Sequence, residues 1–107
     1  MGSISDESMR PAKIIVVGHM DFIHAREYLS KGDIVVVNCS HQSNVLLTDD
    51  VNFEHYRNEE AFTYYGGHRK RFPTRIVVPF TGYWNVTIDL AGGEATIRHN
   101  ISFIKRS

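Results

Sequence analysis

The stretch "YWNVTIDL", residues 83–90, alternates without a fault. Successive side chains of an extended strand point to opposite faces. Trp84, Val86, Ile88 and Leu90 therefore share one side, and Tyr83, Asn85, Thr87 and Asp89 share the other. A helical period would mix the two sets, so the stretch demands a strand with one buried face. Being in phase with three aliphatic residues assigns Trp84 to the core side. Burying each of those four side chains is worth about 2 kcal/mol. A one-residue slip would expose them all, which pins the register. The indole N–H needs an acceptor, which a sheet edge or rim supplies. The opposite row is a candidate ligand face, with a solvated outer face as its plain alternative.

Further runs share this character. "DIVVVNCS" (33–40), "NVLLT" (44–48), "TRIVVPF" (74–80) and "EATIRHNISFI" (94–104) are short and rich in β-branched residues. Gly32-Asp33, Asp49-Asp50, Gly66-Gly67, Pro73, Thr81-Gly82 and Gly92-Gly93 separate them. Short strands at this spacing predict an all-β fold, a jelly-roll-like antiparallel β-sandwich of about seven or eight strands. "DFIHAREYLS" (21–30) tolerates a helix but reads better as a strand. It would feed the Gly32-Asp33 turn in a hairpin arrangement. "DDVNFEHYRN" (49–58) opens on two capping aspartates and sets Phe53 and Tyr56 at i, i+3. One short helical turn is predicted near 50–57. "EAFTYYGG" (60–67) is expected to return as a strand.

A chain of 107 residues with 42% apolar content is one ordinary globular domain. Residues 1–19 read as a leader or appended segment, in which 13–17 can form one extra strand, and 20–107 as a single sandwich domain. "GHM" at 18–20 resembles a cloning junction. Twelve basic and twelve acidic residues cancel. That balance argues against a dedicated nucleic-acid or membrane binder. Cys39 is the only cysteine, which fits a reducing compartment. The apolar run Ile14–Val17 is too short for a membrane span or signal peptide. A cytoplasmic protein, monomeric or weakly dimeric, is the expectation.

Candidate sites are modest. The six histidines fall in no zinc-binding spacing, and no cofactor is implied. His41 follows Cys39-Ser40, but adjacency on a strand end does not make a nucleophile and base. Cys39 shares a face with Val35 and Val37, as a buried thiol would. Asp49, Asp50 and Asn52 offer hard oxygen ligands for a metal, although turn capping explains them as well. "HRKRF" (68–72) is the one dense basic run and reads as the solvated tip of a hairpin. Tyr64, Tyr65, His68, Arg69 and Arg71 there, with Tyr83, Asn85 and Asp89, are the candidate ligand- or partner-binding residues.

Gly32-Asp33, Asn44-Val45, Asp50 with Asn52-Phe53 and Tyr56, Tyr65-Gly66-Gly67, Pro79, Gly82 with Trp84, and Asp89-Leu90 form a recurring order. Over Met20 to about Ile104 this order resembles the bacterial domain-of-unknown-function family numbered eighteen eighty-three. Phe72 before the mid-chain proline and the "AGGEATIRHN" segment depart from the family pattern. The resemblance implies short single-domain proteins, some found beside TIR-type signalling domains. It implies a recognition or adaptor role in bacterial signalling and carries over no catalytic residues.

The leading expectation is a non-enzymatic binding or interaction module with an unidentified protein or small-ligand partner. A carbohydrate- or small-ligand-binding sandwich is one alternative. A metal-dependent hydrolase-type enzyme using Asp49, Asp50, Asn52 or His41 is another.

Overall fold

A computed structural model describes residues 14–17, 20–90 and 97–106. The leader over 1–12, the Gly18-His19 pair and the Gly92-Gly93 breaker lie outside the described residues. Eight strands and one helix run in the order β1 (Ile14–Val17), β2 (Met20–Leu29), β3 (Ile34–Cys39), β4 (Ser43–Asp49), α1 (Asp50–Arg57), β5 (Tyr65–Arg69), β6 (Thr74–Val77), β7 (Gly82–Asp89) and β8 (His99–Ile104). One sheet has the order β1-β2-β7-β4-β5 and the other β6-β3-β8. Every pairing is antiparallel. The fold is an all-β sandwich with one helix on its outside. No described helix is long and apolar enough to cross a membrane.

The sandwich core follows the period-two count as far as Ile88; Leu90 lies past the end of β7 and is only half-buried. Trp84, Val86 and Ile88 pack with Val45 and Leu47 of β4 against Val35 and Val37 of β3. Cys39 is buried in the same cluster. Trp84 is 1% exposed, and its indole Nε1–H donates to the Phe80 carbonyl at 2.8 Å. The acceptor is a backbone group at the rim, as the polar edge of a buried indole requires.

Three local expectations need correction. β2 and β3 do not form a hairpin, because they belong to different sheets. The Gly32-Asp33 turn is instead a corner: Gly32, at φ +92, donates its N–H to Val78 O, and Val78 N–H returns to Asp33 O. The basic run is not a hairpin tip either, since β5 and β6 also lie in different sheets. There Arg69 Nε donates to Thr74 Oγ1 at 2.9 Å, and Phe72 packs onto the core. Residues 60–64 form no strand, so β5 starts only at Tyr65. The short helix falls at 50–57 as expected; Asp49 Oδ1 accepts the Asn52 N–H at 2.8 Å at its start, and two aromatic residues anchor it.

Asp33 holds the corner. Its buried carboxylate accepts the Ser30 N–H at 2.7 Å and the Arg106 N–H at 2.8 Å. Burial pushes its carboxyl upward, but those two N–H groups, with the charges of Lys105 and Arg106, outweigh it and hold it below the ordinary carboxylate value. A depressed carboxylate stabilises the fold above its unfolded pKa, and that stability is lost as pH falls through the folded value. Asp33→Ala is expected to cost about 2 kcal/mol at neutral pH, because two backbone donors lose their acceptor. The deficit should shrink as pH drops below about 4. Urea denaturation across pH checks both; a pH-independent deficit would show that the charge of Asp33 is not what matters.

Candidate functional site

The outer face of the five-stranded sheet carries the site. β2 pairs with β7 so that Phe22 faces Asp89, His24 faces Thr87, Arg26 faces Asn85 and Tyr28 faces Tyr83. The row opposite the tryptophan is thus joined to a second alternating row from β2. The expectation of a solvated outer face fails at its middle. Asn85 and Thr87 are each 1% exposed. α1 is the reason: Phe53 and Tyr56 project from one helix face and pack on Phe22 and Leu46, with Phe62 at the margin. Phe22 meets both rings edge-on, at 6.0 and 5.2 Å between centroids. The Tyr56 hydroxyl donates to Asp89 Oδ2 at 2.6 Å. Burial, then that acceptor, pushes the Tyr56 phenol far above its usual pKa, so it stays a donor.

Beside this second core runs a polar chain. His24 stacks on Phe53 at 4.1 Å with 9° between the rings. Its Nε2 lies 2.7 Å from Asn85 Oδ1. Asn85 Nδ2 donates to Asp50 Oδ1 at 2.8 Å and to Thr48 O at 3.3 Å. An amide nitrogen that donates twice fixes Oδ1 as the acceptor, so His24 Nε2 carries its proton. Asp50 then takes Arg26 in a two-pronged pair, Nε to Oδ1 at 3.0 Å and Nη2 to Oδ2 at 2.7 Å. The Arg26 guanidinium also lies over the Tyr83 ring at 3.9 Å. The Arg26 hydrogen bond holds the Asp50 carboxyl low, against a smaller opposing effect of burial. Burial pulls the His24 imidazole below its usual value; Asn85 opposes this, while Arg57 and Arg26 add to it. A cleft of about 380 Å³ opens here, lined by His24, Arg26, Asp50, Phe53, Glu54, Arg57 and Asn85.

A family model matches residues 20–107, and its description is Domain of unknown function (DUF1883). The chain belongs to that family. The DUF1883 match begins at the first residue of β2, so both rows of the site and the helix above them lie within it. No curated protein and no solved structure matches the chain.

The residues singled out from sequence scatter. Tyr83 and Asn85 join the network through Arg26 and Asp50. Asp89 serves Tyr56. Tyr64 leans on Phe62, while Tyr65 meets the edge of Trp84 at 5.9 Å. His68 lies 3.3 Å from Asn44 Oδ1, and Arg71 is exposed. None of these contacts joins the basic run to the network. Of the oxygen trio, Asp49 caps α1, Asn52 Oδ1 accepts the Thr63 N–H at 2.8 Å, and Asp50 holds Arg26. Among the described residues, no group of three or more His, Cys, Asp or Glu is placed to hold a metal. His24, Arg26, Phe53 and Arg57 are additions of the structure. The period-two rule applied to β2 puts Phe22, His24, Arg26 and Tyr28 on one face, and that signal finds half of them.

Proposed function

We propose that the chain is a non-enzymatic binding module whose contact surface is the ledge of Tyr28, Tyr83 and Arg26 beside the start of α1. One observation carries this reading: two large rings stand in solvent yet are held in place. Tyr28 is 52% exposed and Tyr83 49%. Their rings meet edge-on at 5.1 Å. Arg26 sits over the Tyr83 ring and is tied by two bonds to Asp50, which Asn85 steadies in turn. A surface already ordered loses little entropy when a partner arrives. Tyrosine and arginine are also the residue types that dominate binding energy at interfaces. The partner class that fits is a protein surface offering an apolar contact and an acceptor.

The same reading takes in an adaptor role in bacterial signalling, a cytoplasmic setting and a jelly-roll-like fold. The chain passes repeatedly between the two sheets, which supports the last of these. Capture from an extract of the source cells, read by quantitative mass spectrometry, tests the proposal. The Tyr28→Ala/Tyr83→Ala pair and Arg26→Ala are each expected to weaken a specific partner by about 30-fold, while Arg71→Ala leaves it bound. A partner that survives both ledge changes would overturn the reading, as would substrate turnover that disappears on changing Asp50 or His41.

A further inference from the structure

The cleft next to the ledge is unbalanced in its hydrogen-bonding capacity. Each guanidinium carries five N–H donors. Arg26 commits two of them to Asp50, and Arg57 commits one to Glu54 Oε2 at 3.0 Å. Three donors of Arg26 and four of Arg57 are left for other acceptors. The acceptor side is smaller: both Asp50 oxygens already receive Arg26, Oδ1 receives Asn85 as well, and Glu54 Oε2 receives Arg57, which leaves Glu54 Oε1 against seven donors. Asn85 is satisfied at both ends of its amide. The His24–Phe53 stack supplies a flat, partly apolar wall, and the Arg57 guanidinium sits 6.0 Å from the Phe53 ring. The volume of about 380 Å³ suits a small molecule or a single protruding group.

We propose that this cleft binds a small oxyanion, a carboxylate or phosphate group, held by the uncommitted N–H groups of Arg26 and Arg57 beside the His24–Phe53 stack. Guanidinium forks match the planar or tetrahedral oxygens of such groups, and charge-assisted bonds of this type are the strong ones. The cleft shares Arg26 with the ledge, whereas Arg57 and the His24–Phe53 stack belong to the cleft alone, so Arg57→Ala tests this site without touching the ledge.

His24 reports occupancy. Its Nε2–H is engaged by Asn85, so only Nδ1 gains or loses a proton. The charged groups around it are Arg26 on its own strand, and Asp50, Glu54 and Arg57 on α1. Burial and the two arginines disfavour the imidazolium, against the Asn85 hydrogen bond and the Asp50 charge, which favour it. An anion offsets the arginines and favours protonation, and by linkage protonation tightens the anion.

The test is an NMR titration of the His24 imidazole in the full chain, with inorganic phosphate and with acetate. Sodium chloride at matched ionic strength is the control for screening. At least one oxyanion is expected to move the His24 midpoint to higher pH, and Arg57→Ala to weaken that binding at least about tenfold. Response to phosphate alone assigns a phosphoryl group, response to acetate alone a carboxylate, and response to both the shared chemistry. Arg57 is exposed at the end of α1, so its replacement leaves the folded chain available for measurement. A midpoint that moves no further than in chloride, or oxyanion binding that survives Arg57→Ala, overturns the proposal.

Discussion

Replacing Gly66 by alanine is expected to lower the thermal midpoint of the domain by more than about 10 °C. Gly66 has φ +107 and pairs with Leu46 of β4. A Cβ at this position would overlap the Val45 carbonyl oxygen and approach Ile76 Cδ1 to 3.0 Å. The carbonyl is backbone in a strand paired on both sides, so it cannot step aside without breaking a ladder. Left-handed backbone alone costs an L-residue about 1–2 kcal/mol. With the clash, the loss is on the order of 3 kcal/mol. Each kcal/mol lowers the midpoint of a domain this size by roughly 4–8 °C. Gly67 is the control: it too has positive φ, at +134, but the nearest atom to a Cβ there is Arg69 Nη1 at 3.8 Å. Gly67→Ala should therefore show only the smaller backbone penalty. Circular-dichroism melts compare the two; equal midpoints would mean that β5 does not lie against β4 as described.

Trp84→Ala is expected to remove about 3–5 kcal/mol, the range for deleting a large aromatic from a packed core. Trp84 heads the fully buried side chains by volume and touches Phe80 and Tyr65 as well as the aliphatic core. Trp84→Phe should cost less, about 1–2 kcal/mol, because the ring remains while the bond to the Phe80 carbonyl is lost. Urea denaturation measures both. The midpoint concentration should fall with the slope unchanged, since the surface exposed on unfolding is nearly the same. A loss under about 1 kcal/mol for Trp84→Ala would return the residue to the surface, where a ligand platform would need it.

Much of the fold is readable before any coordinates. The alternation of 83–90 assigns Trp84, Val86 and Ile88 to the core, and they are there. The unbroken run Val45-Leu46-Leu47 carries a second message, that of a strand covered on both faces. All three are buried. Phe53 and Tyr56 at i, i+3 identify the helix face that does the covering. The candidate site is less readable. Asn85 and Tyr83 belong to it, but their partners His24 and Arg26 sit 61 and 59 positions before Asn85 in the chain. The basic run at 68–71 is conspicuous as a string of letters, yet its groups are dispersed by the crossover between sheets.

The sequence alone determines the local geometry. Period-two alternation, turn glycines and a capping aspartate act within a few residues, and each depends only on backbone sterics and side-chain direction. What lies beside each strand is a different matter. Antiparallel pairing brings β2 against β7, and the corner at Gly32-Asp33 sends β3 into the other sheet. Those choices come from joint burial of two distant apolar faces, and no local signal encodes the partner. The helix then closes over the polar row opposite Trp84. Once Asn85 loses water it must find acceptors and donors within the protein, and it takes them from His24, Thr48 and Asp50. The alternation alone describes that face as one row of four polar residues. The tertiary structure divides it into a buried network, an exposed ledge and a donor-rich cleft, because only packing decides which polar groups keep their water.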